Sequence, residues 1–261
     1  MDKSDTDALR NAVQLLEHPS LAARLANTIG KPVELLGRAL PAGASQAIAT
    51  ATTKSALLTI RGGPQASSQI LHRALAVASG AAGGAFGILS LPLELPVSTI
   101  IILRSILDIA RSEGENLADP ESSLSCVEVF GLGGRTETDE AAEGGYFVAR
   151  GVFATSVTEA ARFIAERGIV EEGSPVLVRL IAQIASRFGF VVSQKAAAQT
   201  IPVIGALGGA AINYAFIDHF QSVAHGHFTV RRLERKYGKD TVFDAYERLR
   251  QDLRRTEEVS E

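Results

Sequence analysis

The chain has little of several things that usually announce a function. Of its 261 residues one is cysteine, Cys126, and none is tryptophan. A single cysteine excludes an internal disulfide and fits a reducing compartment. Aromatic residues make up only 6% while hydrophobic ones reach 46%, so the apolar content comes from Ala, Leu, Ile and Val. That composition favours close helix packing over an aromatic recognition surface. Neither sign of charge dominates: 26 Lys and Arg stand against 29 Asp and Glu, a net charge of −3. A balance of this kind gives no general attraction for nucleic acid. The N-terminal stretch MDKSDTDALRNAVQ is acidic and polar and lacks an apolar segment behind a basic start, so the expectation is a cytoplasmic protein. Gly-x-Ser-x-Gly, the phosphate-binding P-loop, His-Glu-x-x-His and paired-cysteine spacings are all missing, and with them the common signatures of hydrolytic, nucleotide and zinc chemistry.

What the chain does have is a long apolar stretch. Ala74 to Leu103 runs for 30 residues between Arg73 and Arg104 with Glu94 as its one ionisable side chain. Its length would cross a bilayer, which needs about 20 apolar residues, but it holds four glycines and two prolines. Gly80 and Gly84, and again Gly83 and Gly87, stand at the spacing that lets another helix backbone approach closely. Pro92 and Pro96 are expected to break the helix around Glu94, with a new helix starting at Ser98 or Thr99. That helix places Ile100, Leu103, Leu107 and Ala110 on one face, and Arg104, Asp108 and Arg111 on another as an ion-pair row.

Before this stretch the sequence reads as short helices. Ala8 to Glu17 repeats Leu9, Val13 and Leu16 at helical spacing. His18-Pro19 stops it, and further breaks fall at Gly30 to Pro32, at Pro41 and at Arg61 to Pro64. After it, Ser112 to Glu128 is acidic, and its oxygen positions do not fit a calcium loop, so it reads as solvated surface around a short helix with Leu124, Cys126 and Val127. Gly131 to Gly145 has linker composition. Gly151 to Glu166 is helical with Phe153, Val157, Ala160 and Ile164 inward, and Ser174-Pro175 opens a helix expected to end at Gly189. Ala196 to Ile217 is a second uncharged stretch, with Pro202 and a Gly205-x-x-x-Gly209 pair. The helix then continues past Asp218 to a stop at Gly238, and Asp240 to Arg255 forms an amphipathic cap with Val242, Tyr246, Leu249 and Leu253 on one face.

Three groups of polar residues are candidates for chemistry. Asp218, Ser222 and His225 share one helix face, but a triad built along a helix has no oxyanion pocket, so a structural row is the better reading. His219, His225 and His227 crowd one helix without converging, so a metal would need ligands from elsewhere. Arg231, Arg232, Arg235 and Lys236 form a cationic turn. Such a turn suits an anionic membrane surface, at about 1 kcal/mol per basic side chain, and equally suits the negative end of its own helix.

The run Gly83 to Gly87 followed by LELPVST, then LRSILDIARSEGE over Leu103 to Glu115, and QKAAAQTIPVIGALGGAAIN over Gln194 to Asn213 leading to HFTVRRLERKYG, resembles the EcsC family of bacterial proteins. Family members often carry Asp before Pro in the first of these motifs; here Glu94 stands before Leu95 and Pro96. The resemblance implies a membrane-associated helical protein encoded near ABC-transporter components, and it brings no catalytic residues.

The sequence therefore predicts an all-α, multi-helix bundle built around two Gly/Ala-rich, Pro-broken apolar hairpins. The expected parts are short helices over 1–64, the first hairpin and charged helix over 65–130, an acidic Gly-rich loop over 131–145 and a second helical half over 146–261. The expected function is that of a non-enzymatic accessory protein without a cofactor. It would sit on the inner face of the membrane or on a membrane complex through the Arg231 to Lys236 turn, with lipid among its partners. The alternative is a lipid- or small-molecule-binding protein, or a hydrolase, with a core pocket where Glu94, Arg104, Asp108, Lys195, Asn213 and His227 meet.

Overall fold

In the computed structural model the described residues are 1–17, 91–134, 145–167, 174–199 and 205–260. They form seven helices and, among the described residues, no strand: α1 (Lys3–Glu17), α2 (Leu91–Ser112), α3 (Pro120–Leu132), α4 (Gly145–Arg167), α5 (Pro175–Gln199), α6 (Gly205–Tyr237) and α7 (Lys239–Ser260). The all-α expectation holds. Gly80, Gly84 and the first hairpin up to Ser90 lie outside the described residues, as do most of the expected N-terminal helices and the loop from Arg135 to Gly144.

The longest element is α6, whose 33 residues extend for about 50 Å at 1.5 Å per residue. It continues past Asp218 as its apolar period requires and stops where Gly238 takes φ +86°, a left-handed conformation that glycine adopts without strain. The Gly238 N–H closes the last turn on the Glu234 carbonyl at 2.9 Å. Helix α1 starts earlier than the expected Ala8, because the Asp2 carboxylate accepts the Asp5 N–H at 2.8 Å and caps it. Its buried Leu9, Val13 and Leu16 face α6. The approach is closest at Gly226, where a Cβ would lie 2.5 Å from Leu16 Cγ.

Two helix breaks expected from the sequence are absent. Helix α2 begins at Leu91 and runs through Pro92 and Pro96. Pro92 stands in the first turn, where backbone N–H groups have no intrahelical acceptor, so a missing donor costs nothing there. Pro96 forfeits one bond, and the buried run Ile101, Ile102, Leu103, Ile106 and Leu107 offsets that loss. Helix α5 likewise passes through Gly189 to Gln199. Continuing it buries Val191 and Val192, which outweighs the roughly 1 kcal/mol that a helical glycine costs.

Helices α1, α2 and α7 pack around α6, while α3, α4 and α5 pack on one another. Helix α3 joins the two groups, since it also touches α2 and α6, and every residue from Ser122 to Leu132 is buried. Asp119 caps it by accepting the Ser122 N–H at 2.9 Å, with Pro120 in the first turn. The few aromatic residues are gathered at the joints. Phe130 of α3, Phe188 of α5 and Phe216 and Phe220 of α6 meet at centroid distances of 5.1 to 6.2 Å, within the range of favourable ring contacts. Tyr146 and Phe147 of α4 meet Phe243 and Tyr246 of α7 at 5.0 to 5.8 Å. The face set foreseen for α4, Phe153, Val157, Ala160 and Ile164, is buried, as are Val242 and Tyr246 of α7.

Packing at the end of α3 yields a paired expectation. A Cβ on Gly134 would lie 2.3 Å from the Arg187 carbonyl oxygen of α5, whereas one on Gly151 would meet nothing within 4 Å. Thermal and urea unfolding should show Gly134→Ala destabilised by about 1–3 kcal/mol and Gly151→Ala stabilised by about 0.5–1 kcal/mol. Equal effects of the two substitutions would contradict this packing.

Candidate functional site

The cationic turn at the end of α6 meets carboxylates brought from two other places in the chain, the N-terminal helix and the α2–α3 turn. Arg231 bonds Glu115 through Nε at 2.8 Å and Nη2 at 3.2 Å. Arg235 reaches the same carboxylate and also donates to the Glu113 carbonyl at 2.6 Å. Arg232 bridges Glu113 at 2.7 Å and Asp5 at 3.1 Å. Lys236 takes Asp5 at 2.6 Å and Asp2 at 3.2 Å, and the Tyr237 hydroxyl donates to both of those aspartates. Glu115 is the centre of this clasp, since Ser122 Oγ also donates to it at 2.6 Å. Burial works to raise the Glu115 carboxyl, but the bonds from Arg231 and Ser122 outweigh it and hold the group below its ordinary value. The Lys236 and Tyr237 bonds hold Asp5 far below the usual carboxylate range. Both depressed carboxylates contribute stability above about pH 4 that is lost as the pH falls through their folded-state values. Each of the four cations of the turn has an intramolecular acid partner, and Arg235 and Lys236 remain 43% and 52% exposed.

Beside the clasp lies a buried polar seam. Helices α4 and α6 meet through long side chains rather than closely packed backbones. Arg150 of α4 holds Glu234 of α6 by two bonds, 2.8 and 2.9 Å. One turn earlier on α4 the Tyr146 hydroxyl meets His227 Nδ1 at 2.8 Å. Glu128 of α3 is only 3% exposed. Burial pushes its carboxyl up to about 7, with the charges of Arg150 and Arg231 opposing that rise and those of Glu121 and Glu234 adding to it. Its Oε1 has no hydrogen-bond partner among the described residues, nor has Nε2 of the fully buried His227. Burial, followed by the Arg150 and Arg231 charges, holds His227 well below its ordinary value, so it is a neutral imidazole. Cys126 is equally sheltered: burial, then the Glu115 charge, raises its thiol, which makes it inert.

The outer surface of α5 is different in kind. Pro175, Val178, Ala182, Ser186 and Phe190 are exposed along it, with Arg179 as the exposed charge. Over Pro175–Lys195 the helix is long and apolar enough to cross a membrane, yet only 33% of that stretch is buried. Arg179 pairs with Glu159 at 3.5 Å and Arg187 lies 5.4 Å over the Phe153 ring. These contacts set α4 antiparallel to α5 and bring the exposed Val148 and Val152 to the Phe190 end.

A family model described as the EcsC protein family matches residues 21–233. The chain belongs to the EcsC protein family. None of the curated proteins and none of the solved structures compared with it matches.

Of the six residues expected to share a pocket in this EcsC protein, Lys195 and Asn213 meet, while Arg104, Asp108 and His227 stand apart from that pair. Arg104 is exposed on α2, and Asp108 is tied to Arg111 at 3.0 Å. Lys195 is wholly buried, donates to Asn213 Oδ1 at 2.8 Å and lies 4.6 Å over the Phe216 ring. His227 stands fourteen residues further along α6 than Asn213, roughly 20 Å away. Glu94 lies in the first turn of α2 and its side chain is outside the described residues, as are the surroundings of Gly205 and Gly209 at the start of α6. The histidine cluster also separates: His219 Nε2 bonds the Gly133 carbonyl at 2.8 Å while His227 turns to Tyr146. Among the described residues no three His, Cys, Asp or Glu side chains stand where they could hold a metal.

Sequence reasoning missed Glu128, Tyr146, Arg150 and Glu234, and placed Glu115 and Glu128 on a solvated surface. One signal was available for Glu128, the only charge in the apolar run from Leu124 to Leu132. For Tyr146, replacement by Phe keeps the ring contacts and leaves both His227 nitrogens without a partner. Urea unfolding should show Tyr146→Phe destabilised by about 1–3 kcal/mol; an unchanged stability would contradict the seam.

Proposed function

We infer that this EcsC family member is a non-enzymatic helical protein that docks on a membrane surface, as an accessory to a transporter or another membrane complex. The single observation that carries this reading is the outward face of α5, a long apolar helix with only 33% of its apolar stretch buried. Val178 is 49% and Phe190 42% exposed on it, and Val148 and Val152 of α4 extend the patch at one end. The whole of α5 contains no Asp or Glu. A lipid surface is the partner that such a face suits, because it covers apolar side chains without asking for a specific shape. In this reading α5 is the main docking element, because the cations of the turn also bind internal acids. A core-pocket reading has less to stand on, since only Lys195 and Asn213 of its described residues meet.

The test is flotation of the full chain with vesicles of phosphatidylcholine and phosphatidylglycerol. Wild-type protein should rise with the vesicles. The double variant Val178→Glu/Phe190→Glu should partition at least about tenfold less, because each side chain loses roughly 1.5–3 kcal/mol of burial. Arg235→Gln, in the clasp, should float like the wild type. Wild-type protein that stays at the bottom of the gradient, or a double variant that floats equally well, would overturn the reading.

A further inference from the structure

We propose that the α4–α5 pair enters the lipid surface at a slant, with the end that carries Val148, Val152 and Phe190 among the acyl chains and the opposite, charged end at the headgroups. This inference rests on the membrane docking proposed above and adds to it an orientation and a depth.

Register between the two helices fixes which residues share a level. Glu159 of α4 meets Arg179 of α5 at 3.5 Å, and Arg187 of α5 lies 5.4 Å over the Phe153 ring of α4. Moving back along α4 therefore corresponds to moving forward along α5, and three residues beyond Arg187 place Phe190 level with Arg150, between Val148 and Val152. The side chains of Glu159 and Arg179 are 47% and 63% exposed, so their contact joins the outer faces of the two helices into one surface. Eleven residues separate Arg179 from Phe190, and eleven separate Val148 from Glu159. That is close to three full turns, so on each helix the charged residue and the apolar one share a face at different levels.

Exposed charge is sorted along this surface. Glu159, Arg162, Glu166 and Arg167 of α4 and Arg179 of α5 are exposed, and all five fall within 159–167 and 174–181. In the other half, 145–158 of α4 and 182–195 of α5, no charged side chain is exposed. Arg150 turns inward to Glu234, Arg187 lies against the Phe153 ring, and Lys195 is wholly buried. What this half shows to the outside is Val148, Val152 and Phe190, at 40%, 47% and 42% exposure, beside Gly, Ala, Ser and Thr.

A bilayer surface is sorted in the same order over a similar distance. A pair lying flat would press its five exposed charges against acyl chains, where a charge without water is costly. Three turns span about 16 Å. An interfacial helix buries its apolar side by about 5–10 Å, so a slant of roughly 20–40° from the membrane plane carries Phe190 to that depth and keeps Arg179 and Glu159 among the headgroups.

The lack of tryptophan gives the test a clean optical probe. Arg179→Trp and Phe190→Trp place one indole at either level of the same face. Each full-length variant is bound to phosphatidylcholine and phosphatidylglycerol vesicles brominated midway along the acyl chains, where bromine quenches an indole that comes near it. Phe190→Trp should be quenched at least about twofold more than Arg179→Trp. Val152→Glu, on the α4 side of the embedded end, should float about tenfold less than the wild type. Equal quenching of the two indoles in vesicle-bound protein, or undiminished flotation of Val152→Glu, would overturn the slant while the docking stands. A wild-type chain that does not float would overturn docking and slant together.

Discussion

Much of this structure depends on one carboxylate. Glu115 sits in the turn between α2 and α3, with a side chain only 2% exposed, and receives Arg231, Arg235 and Ser122 together. It gives the cationic end of α6 a partner where the chain would otherwise bury guanidinium groups beside the apolar wall of α3. Removing one side of a buried pair of this kind costs about 3–5 kcal/mol, because the other side is left charged and dry. Around that centre Glu113, Asp5 and Asp2 take the remaining cations, so the N-terminal helix and the α2–α3 turn are fixed to the same end of α6.

This arrangement shapes the functional reading. The paired cations hold the α6 terminus to the N-terminal helix and the α2–α3 turn, and the docking element proposed above is the outward apolar face of α5. With Arg231 committed to Glu115, Arg150 serves Glu234 in the adjoining seam, and burial raises the nearby Glu128 carboxyl on α3. Clasp and seam thus share a single accounting of buried charge across α3, α4 and α6.

The helices were legible because their apolar periods repeat within a few residues. The inward set Phe153, Val157, Ala160 and Ile164, the passage of α6 beyond Asp218 and its stop at Gly238 all followed from local pattern and turn chemistry. The failures at Pro96 and Gly189 have a shared cause, since tertiary burial of the residues beyond each outweighed a local penalty of a few kcal/mol at most, whereas Pro92 falls in the first turn, where it carries no penalty. The candidate site was less legible, because its bonds join residues far apart in the chain. Arg150 meets Glu234 across 84 positions, and Lys236 meets Asp5 across 231. Helical spacing orders residues along one helix and says nothing of which acid another helix will present. The Lys195–Asn213 pair was partly foreseen because both border the same apolar segment.

The most direct test is a double-mutant cycle on Glu115 and Arg231, with Glu115→Gln and Arg231→Met measured singly and together by urea unfolding. If the clasp is the organising contact, the two losses should fall short of adding by about 1.5 kcal/mol or more, as expected for directly bonded, largely buried groups. Losses that add to within about 0.3–0.5 kcal/mol would contradict the account.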